Sequence, residues 1–170
     1  SKIEGFGFIP VTCFSQALTT FIGQNLGAKE YDRTKKGALF GTICGIGIAE
    51  VIGIAVFFFS PYLIAAFGGD QKAIEYGIAE AHTIALFYCL LAFSHCMAAI
   101  QRGAGRSIVP MFVMMLVWCG VRVTYISIVI RIIPMINVIY WAYPLTWFIS
   151  SVIFLILFLK TDWIHGLEKQ

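Results

Sequence analysis

Residues 23–36 read Gly-Gln-Asn-Leu-Gly-Ala-Lys-Glu-Tyr-Asp-Arg-Thr-Lys-Lys and stand between two long apolar stretches, at about residues 3–22 and 37–59. Each stretch has the roughly 20 residues that an α-helix needs to cross a bilayer. The polar run holds Lys29, Arg33, Lys35 and Lys36. Such a basic run cannot enter hydrocarbon, so it fixes one side of a membrane. Gly23, Asn25 and Gly27 can take positive φ, which predicts a helix end and a chain reversal here.

The rest of the chain repeats this pattern. Further apolar stretches lie at about residues 76–101, 108–133 and 139–159. Apolar residues make up 59% and charged residues 12%, against about 25% charged in ordinary globular domains. The expected fold is therefore all-α, a polytopic membrane helix bundle with about five crossings. The chain begins at Ser1, almost inside the first stretch, which predicts that it is part of a longer protein.

Polar groups inside these stretches are the candidates for function. Thr12, Ser15, Gln16 and Thr19 recur at helical spacing and form a stripe, expected to bond to neighbouring helices. Gly37, Gly41, Gly45, Ala49 and Gly53 recur every four residues, a ridge of small side chains that lets another helix approach closely. Glu50 lies beside that ridge, deep in its crossing. An intramembrane acid is costly and marks a functional group by default. Arg122 lies at a similar depth in the fourth crossing, so the two are expected to pair. Glu80 and His82 open the third crossing, and His95, near its end, is expected to be a hydrogen-bonded packing residue. Ser15, Gln16, Glu50, Glu80, His82 and Arg122 are thus the candidates for an ion or substrate pathway.

Several other chemistries are excluded. His82, Cys89 and Cys96 share a helical face, but seven residues of helix rise about 10 Å, too far for one ion. No metal site and no cofactor is expected. The five cysteines fall in apolar stretches with no CxxC pair, as packing residues do. No nucleophile–base pair or phosphate-binding glycine loop is present, so neither an enzyme nor a nucleic-acid partner is expected. Ser60-Pro61 reads as the start of a short interfacial helix over 61–67.

Basic residues set the orientation. Lys29, Arg33, Lys35, Lys36, Arg102, Arg106, Lys160 and Lys169 fall on one face of the expected bundle, and Lys2, Lys72 and Arg131 on the other. The richer face is expected in the cytoplasm.

The segment Thr20 to Ala28, carrying Gly23, Gln24, Asn25, Gly27 and Ala28, resembles a loop of the MATE family (multidrug and toxic compound extrusion). Arg102-Gly103-Ala104-Gly105-Arg106-Ser107 with Pro110 resembles the family's next cytoplasmic loop. Trp118 to Arg122, and Tyr143-Pro144-Leu145-Thr146-Trp147, resemble its last two helices. The resemblance implies a partial C-terminal lobe, the last five of twelve helices, with the N-terminal helices of the same protein missing. It implies an antiporter, coupled to H+ or Na+, that exports drugs or other amphipathic organic cations. The setting would be a cell membrane of bacterial cytoplasmic type, with lipid as neighbour. In a branch of the family an acid stands midway along the helix matching the third crossing. Residues 90–94 hold none, so that sodium site does not carry over; the resemblance then leaves two places for the coupling acid, the missing half of the protein or Glu50. A lipid-linked oligosaccharide flippase, which calls for more cavity cations than Arg122, and a non-transporting scaffold are the rival readings.

Overall fold

The computed structural model describes residues 2–66, 70–133 and 136–164. The helices, in chain order, are α1 (Lys2–Gly27), α2 (Tyr31–Ala66), α3 (Gln71–Ala85), α4 (Tyr88–Gly103), α5 (Ile108–Met114), α6 (Arg122–Ile132) and α7 (Asn137–Lys160). A π-helical stretch, Met115–Val121, joins α5 to α6 without a break. No strand occurs among the described residues. The fold is a multi-pass membrane helix bundle. Tyr31–Ala66, Ile108–Ile132 and Val138–Lys160 are each long and apolar enough to cross a bilayer. The pair α3–α4, bent by 56°, makes a fourth crossing if its halves count as one. α1, with 26 residues, has the length of another.

Helices α1, α2 and α4 pack on one another, and α7 packs on α4. One core cluster joins Leu18 and Ile22 of α1, Ala38 of α2, Cys96 to Ile100 of α4 and Phe154 of α7. A second joins Val11, Ala49, Ile84, Tyr88, Leu91 and Trp147. On the outside, Leu39, Phe40, Ile43, Val51 and Phe58 of α2 are exposed, as are Val123, Ile128 and Ile132 of α6. Such apolar faces belong in lipid, where burial gains no hydrophobic free energy and helices are held by close packing.

The small-residue ridge provides that packing. A Cβ added at Gly41 would stand 2.6 Å from Leu18 of α1, and one at Gly45 2.7 Å from Cys96 of α4. At Gly53 it would meet the backbone carbonyl of Ala85 at 2.5 Å. A Cβ at Gly103 of α4 would be equally confined, 2.7 Å from the Thr19 carbonyl of α1. Backbones can approach this closely only where the side chain is absent.

The structure departs from the sequence expectations in four places. The reversal after α1 is made by Lys29, at φ 60°, because α1 runs regularly through Gly23 and Asn25 to its end at Gly27. Asn25 instead donates from Nδ2 to the Phe21 carbonyl (2.7 Å), while its own carbonyl accepts the Glu30 amide (2.9 Å). Ser60-Pro61 does not start a new helix: α2 continues to Ala66. Pro61 has no N–H for the Phe57 carbonyl four residues back, and the buried Ser60 hydroxyl donates to that carbonyl instead, at 3.4 Å. The expected stretch 76–101 is two helices, broken at Leu86–Phe87. Finally, the α1 hydroxyls bond within their own helix. Thr12 donates to Ile9 O (2.8 Å), Ser15 to Thr12 O (2.9 Å) and Thr19 to Ser15 O (3.0 Å).

Candidate functional site

A cavity of about 450 Å³ opens between α1, the α3–α4 bend, the π-helical stretch and α7. Its walls include Phe8, Tyr88, Trp118, Tyr143 and Trp147, with Arg122 as the charged group among the described residues lining it. The volume falls in the range of small-molecule sites, roughly 300–1,000 Å³.

Arg122 is fixed from α7. Its Nη2 donates to the Thr146 hydroxyl at 2.8 Å. The Thr146 proton is directed to the carbonyl of Ala142 or Tyr143, each at 3.0 Å, which leaves a lone pair for the guanidinium. The guanidinium carbon lies 4.3 Å from the Tyr143 ring centroid and 5.7 Å from that of Trp118. Both distances are within the reach of cation–π attraction. Trp147 continues the aromatic wall, stacked on Tyr88 with centroids 6.1 Å apart and edge-on to Tyr143 at the same separation. The site can therefore hold a flat apolar molecule against aromatic faces, beside the guanidinium of Arg122.

Behind this wall lies a polar knot. Ser94 of α4 and Ser150 and Ser151 of α7 are buried, with Ser94 Oγ 2.9 Å from each of the other two hydroxyls. Ser151 donates to Leu90 O (3.1 Å), and Ser150 to Trp147 O (3.0 Å). The indole N–H of Trp118 reaches Ser150 at 3.4 Å. This is where residues 90–94 hold no acid, and neutral hydroxyls satisfy one another there. His95, next along α4, is not held by a hydrogen bond among the described residues. It is clamped between ring edges instead, 5.0 Å from Phe8 and 5.5 Å from Trp118.

Glu50 takes a different position from the one expected. Its Oε1 accepts the backbone N–H of Cys89 at 3.0 Å, in the first turn of α4. First-turn amides have no partner in their own helix, and Phe87 at the cap position supplies no side-chain acceptor. The carboxylate on α2 therefore caps a helix it does not belong to, where the helix dipole favours negative charge. Glu50 and Arg122 form no ion pair among the described residues, and their hydrogen bonds go to different partners.

The remaining candidates are scattered. Ser15 is buried against its own helix, and Gln16 is exposed on the outside of the bundle. Glu80, in the second half of α3, lies within electrostatic reach of Tyr140 of α7. His82 stacks on Phe57 of α2, with centroids 4.3 Å apart. None of these four lines the cavity. Of the motif residues, Trp147 lines it and Pro144 is buried inside α7, one turn before. Gly23 and Gly103 bring α1 and α4 together at the basic end of the bundle. There Gly105, at φ 78°, turns the chain, and Arg102 sits in the last turn of α4. Gln24 and Gly27–Ala28 lie on the exposed side of that end, where Gln24 O accepts the Ala28 amide. Tyr88, Trp118 and the serine knot were not singled out as site residues. A faint signal existed in Ser150-Ser151, an adjacent pair in an otherwise apolar helix.

The fold is that of a multi-pass membrane helix bundle with an aromatic-walled cavity at Arg122. The MatE family model matches residues 1–126, and the chain belongs to that family. It is similar to a Thermotoga maritima protein described as "Probable multidrug resistance protein NorM", with 29% identity over 112 residues. That alignment covers 66% of this chain and 24% of the relative, so the chain matches about a quarter of the relative's length.

Proposed function

We propose that the chain forms one wall of a cation-coupled antiporter that exports amphipathic organic molecules, cations among them, across a cytoplasmic membrane. The observation that carries this reading is the cavity at Arg122, Tyr143 and Trp147. Aromatic faces bind organic cations and flat apolar rings alike. The other wall, and the coupling ion (H+ or Na+), would come from the rest of the protein, since alternating access needs two lobes around a midplane site.

The test is the full-length protein in proteoliposomes, loaded with a fluorescent organic cation and given an imposed H+ or Na+ gradient. Efflux is expected with one of the two gradients, reduced at least about tenfold in Trp147→Ala. No efflux under either gradient, or full efflux without one, would sink this reading.

A further inference from the structure

A second cavity, on the outside of the bundle, has a different character. It is a groove of about 520 Å³ between α2, α4 and α7, near their basic ends. Ala38 and Met97 form its floor, and Leu155 and Phe158 one wall. Trp163 closes it, buried and stacked on Phe158 with centroids 5.2 Å apart. That closure is anchored, because Arg106 Nη2 donates to the Asp162 carbonyl at 3.2 Å.

Charge separates this groove from an ordinary lipid-facing furrow. Among the described residues lining it, Lys35 is the only charged one, and its side chain is exposed. The nearby acids Glu30 and Asp32 gather instead with Arg33 and Lys36, around a separate cavity beside Phe21. Thr42, a second polar residue lining the groove, spends its hydroxyl on Ala38 O at 2.8 Å. The groove therefore offers hydrocarbon along its length and one positive charge at its mouth. α2 and α7 present exposed Leu39, Leu155 and Leu159 beside it, so it opens toward acyl chains.

We propose that this groove is a binding site for an anionic glycerophospholipid. One acyl chain lies against Met97, Leu155 and Phe158, and the phosphate sits at Lys35. The inference is independent of what the protein transports. A basic residue near a membrane surface is worth roughly a fivefold preference for an anionic headgroup.

The full-length protein would be reconstituted in phosphatidylcholine vesicles with a trace of lipid carrying a diazirine at the acyl-chain end. The probe would be phosphatidylglycerol in one arm and phosphatidylcholine in the other, with adducts mapped by peptide mass spectrometry. Adducts of the phosphatidylglycerol probe are expected to concentrate in 93–97 and 155–158. Lys35→Glu should cut them at least about fivefold, Lys35→Arg should keep them, and Leu155→Trp, which fills the groove from its exposed wall, should remove them. Equal labelling by the two probes would overturn the proposal, as would labelling unchanged in Lys35→Glu. So would a groove free of adducts because other segments of the protein cover it.

Discussion

The Glu50 carboxylate on α2 accepts the Cys89 amide of α4 at 3.0 Å, thirty-nine residues along the chain and just past a 56° bend. The contact supplies what the local sequence lacks. Phe87 precedes the helix and cannot cap it, so the acceptor comes from a neighbouring helix. Glu50 thereby holds the bend that places Tyr88 in the cavity wall.

Glu50→Gln retains a carbonyl acceptor, whereas Glu50→Ala leaves the Cys89 N–H without one. An unsatisfied buried donor costs about 1–3 kcal/mol. Glu50→Ala is expected to lower the thermal stability of the full-length protein in detergent clearly more than Glu50→Gln does. Equal losses would mean that the hydrogen bond contributes little.

Arg122 and Glu50 make hydrogen bonds to different groups, so their substitutions should not couple. In a double-mutant cycle of Glu50→Gln with Arg122→Gln, stability changes are expected to add within about 0.5 kcal/mol. Arg122→Gln with Thr146→Val removes both ends of the 2.8 Å bond. There a coupling of about 0.5–3 kcal/mol is expected. Strong coupling in the first cycle and none in the second would reverse the assignment.

The ridge on α2 makes a positional prediction. Gly53→Ala meets the Ala85 backbone at 2.5 Å and must push α2 from the α3–α4 bend, while a Cβ at Gly47 meets nothing within 4 Å. Overpacking of this kind costs about 1–3 kcal/mol. Gly47→Ala should be neutral or slightly stabilising, since Ala exceeds Gly in helix propensity by up to about 1 kcal/mol. Thermal melts of the two variants decide it, and equal melting temperatures would contradict the packing described.

Topology is testable by labelling. Ala28 and Lys72 are both exposed, in the loop after α1 and the first turn of α3. With single cysteines in a cysteine-free full-length parent, an impermeant reagent on intact cells should label Lys72→Cys and spare Ala28→Cys, as the basic asymmetry requires. The opposite pattern would invert the orientation.

Much of the fold is written in the sequence, and the rest depends on contacts that no local pattern records. The ridge from Gly37 to Gly53 is legible because packing in lipid demands small residues at one spacing. The Ala85–Tyr88 break is not, because it contains no proline or glycine and is maintained by Glu50 from elsewhere in the chain. Pro61 misleads because a single hydroxyl, Ser60, compensates for the missing amide. Thr12, Ser15 and Thr19 show the limit of stripe reasoning: spacing says that hydroxyls share a side, but not whether they bond outward or to their own backbone. Depth likewise suggested a Glu50–Arg122 pair. Equal height along two helices fixes neither the rotation of each helix nor the nearer partners available. The aromatic wall was legible only in part, since Trp118, Tyr143 and Trp147 stood in motif segments while Phe8 and Tyr88 looked like ordinary apolar-helix residues.

The π-helical stretch Met115–Val121 carries an implication for how Arg122 is aimed. Wider turns accommodate residues that a regular helix of that length would not. The segment therefore works as a phase adjuster, setting the angular position of everything that follows. Rewinding the same seven residues as regular α-helix would add rotation, since each α-helical residue accounts for about 100°, and the guanidinium would swing away from Thr146 and Tyr143 although no contact residue had changed. Removing one residue between Met115 and Val121 while the helix rewinds would instead restore the angle. The winding of this stretch, more than the identity of any side chain in it, keeps the guanidinium in the cavity.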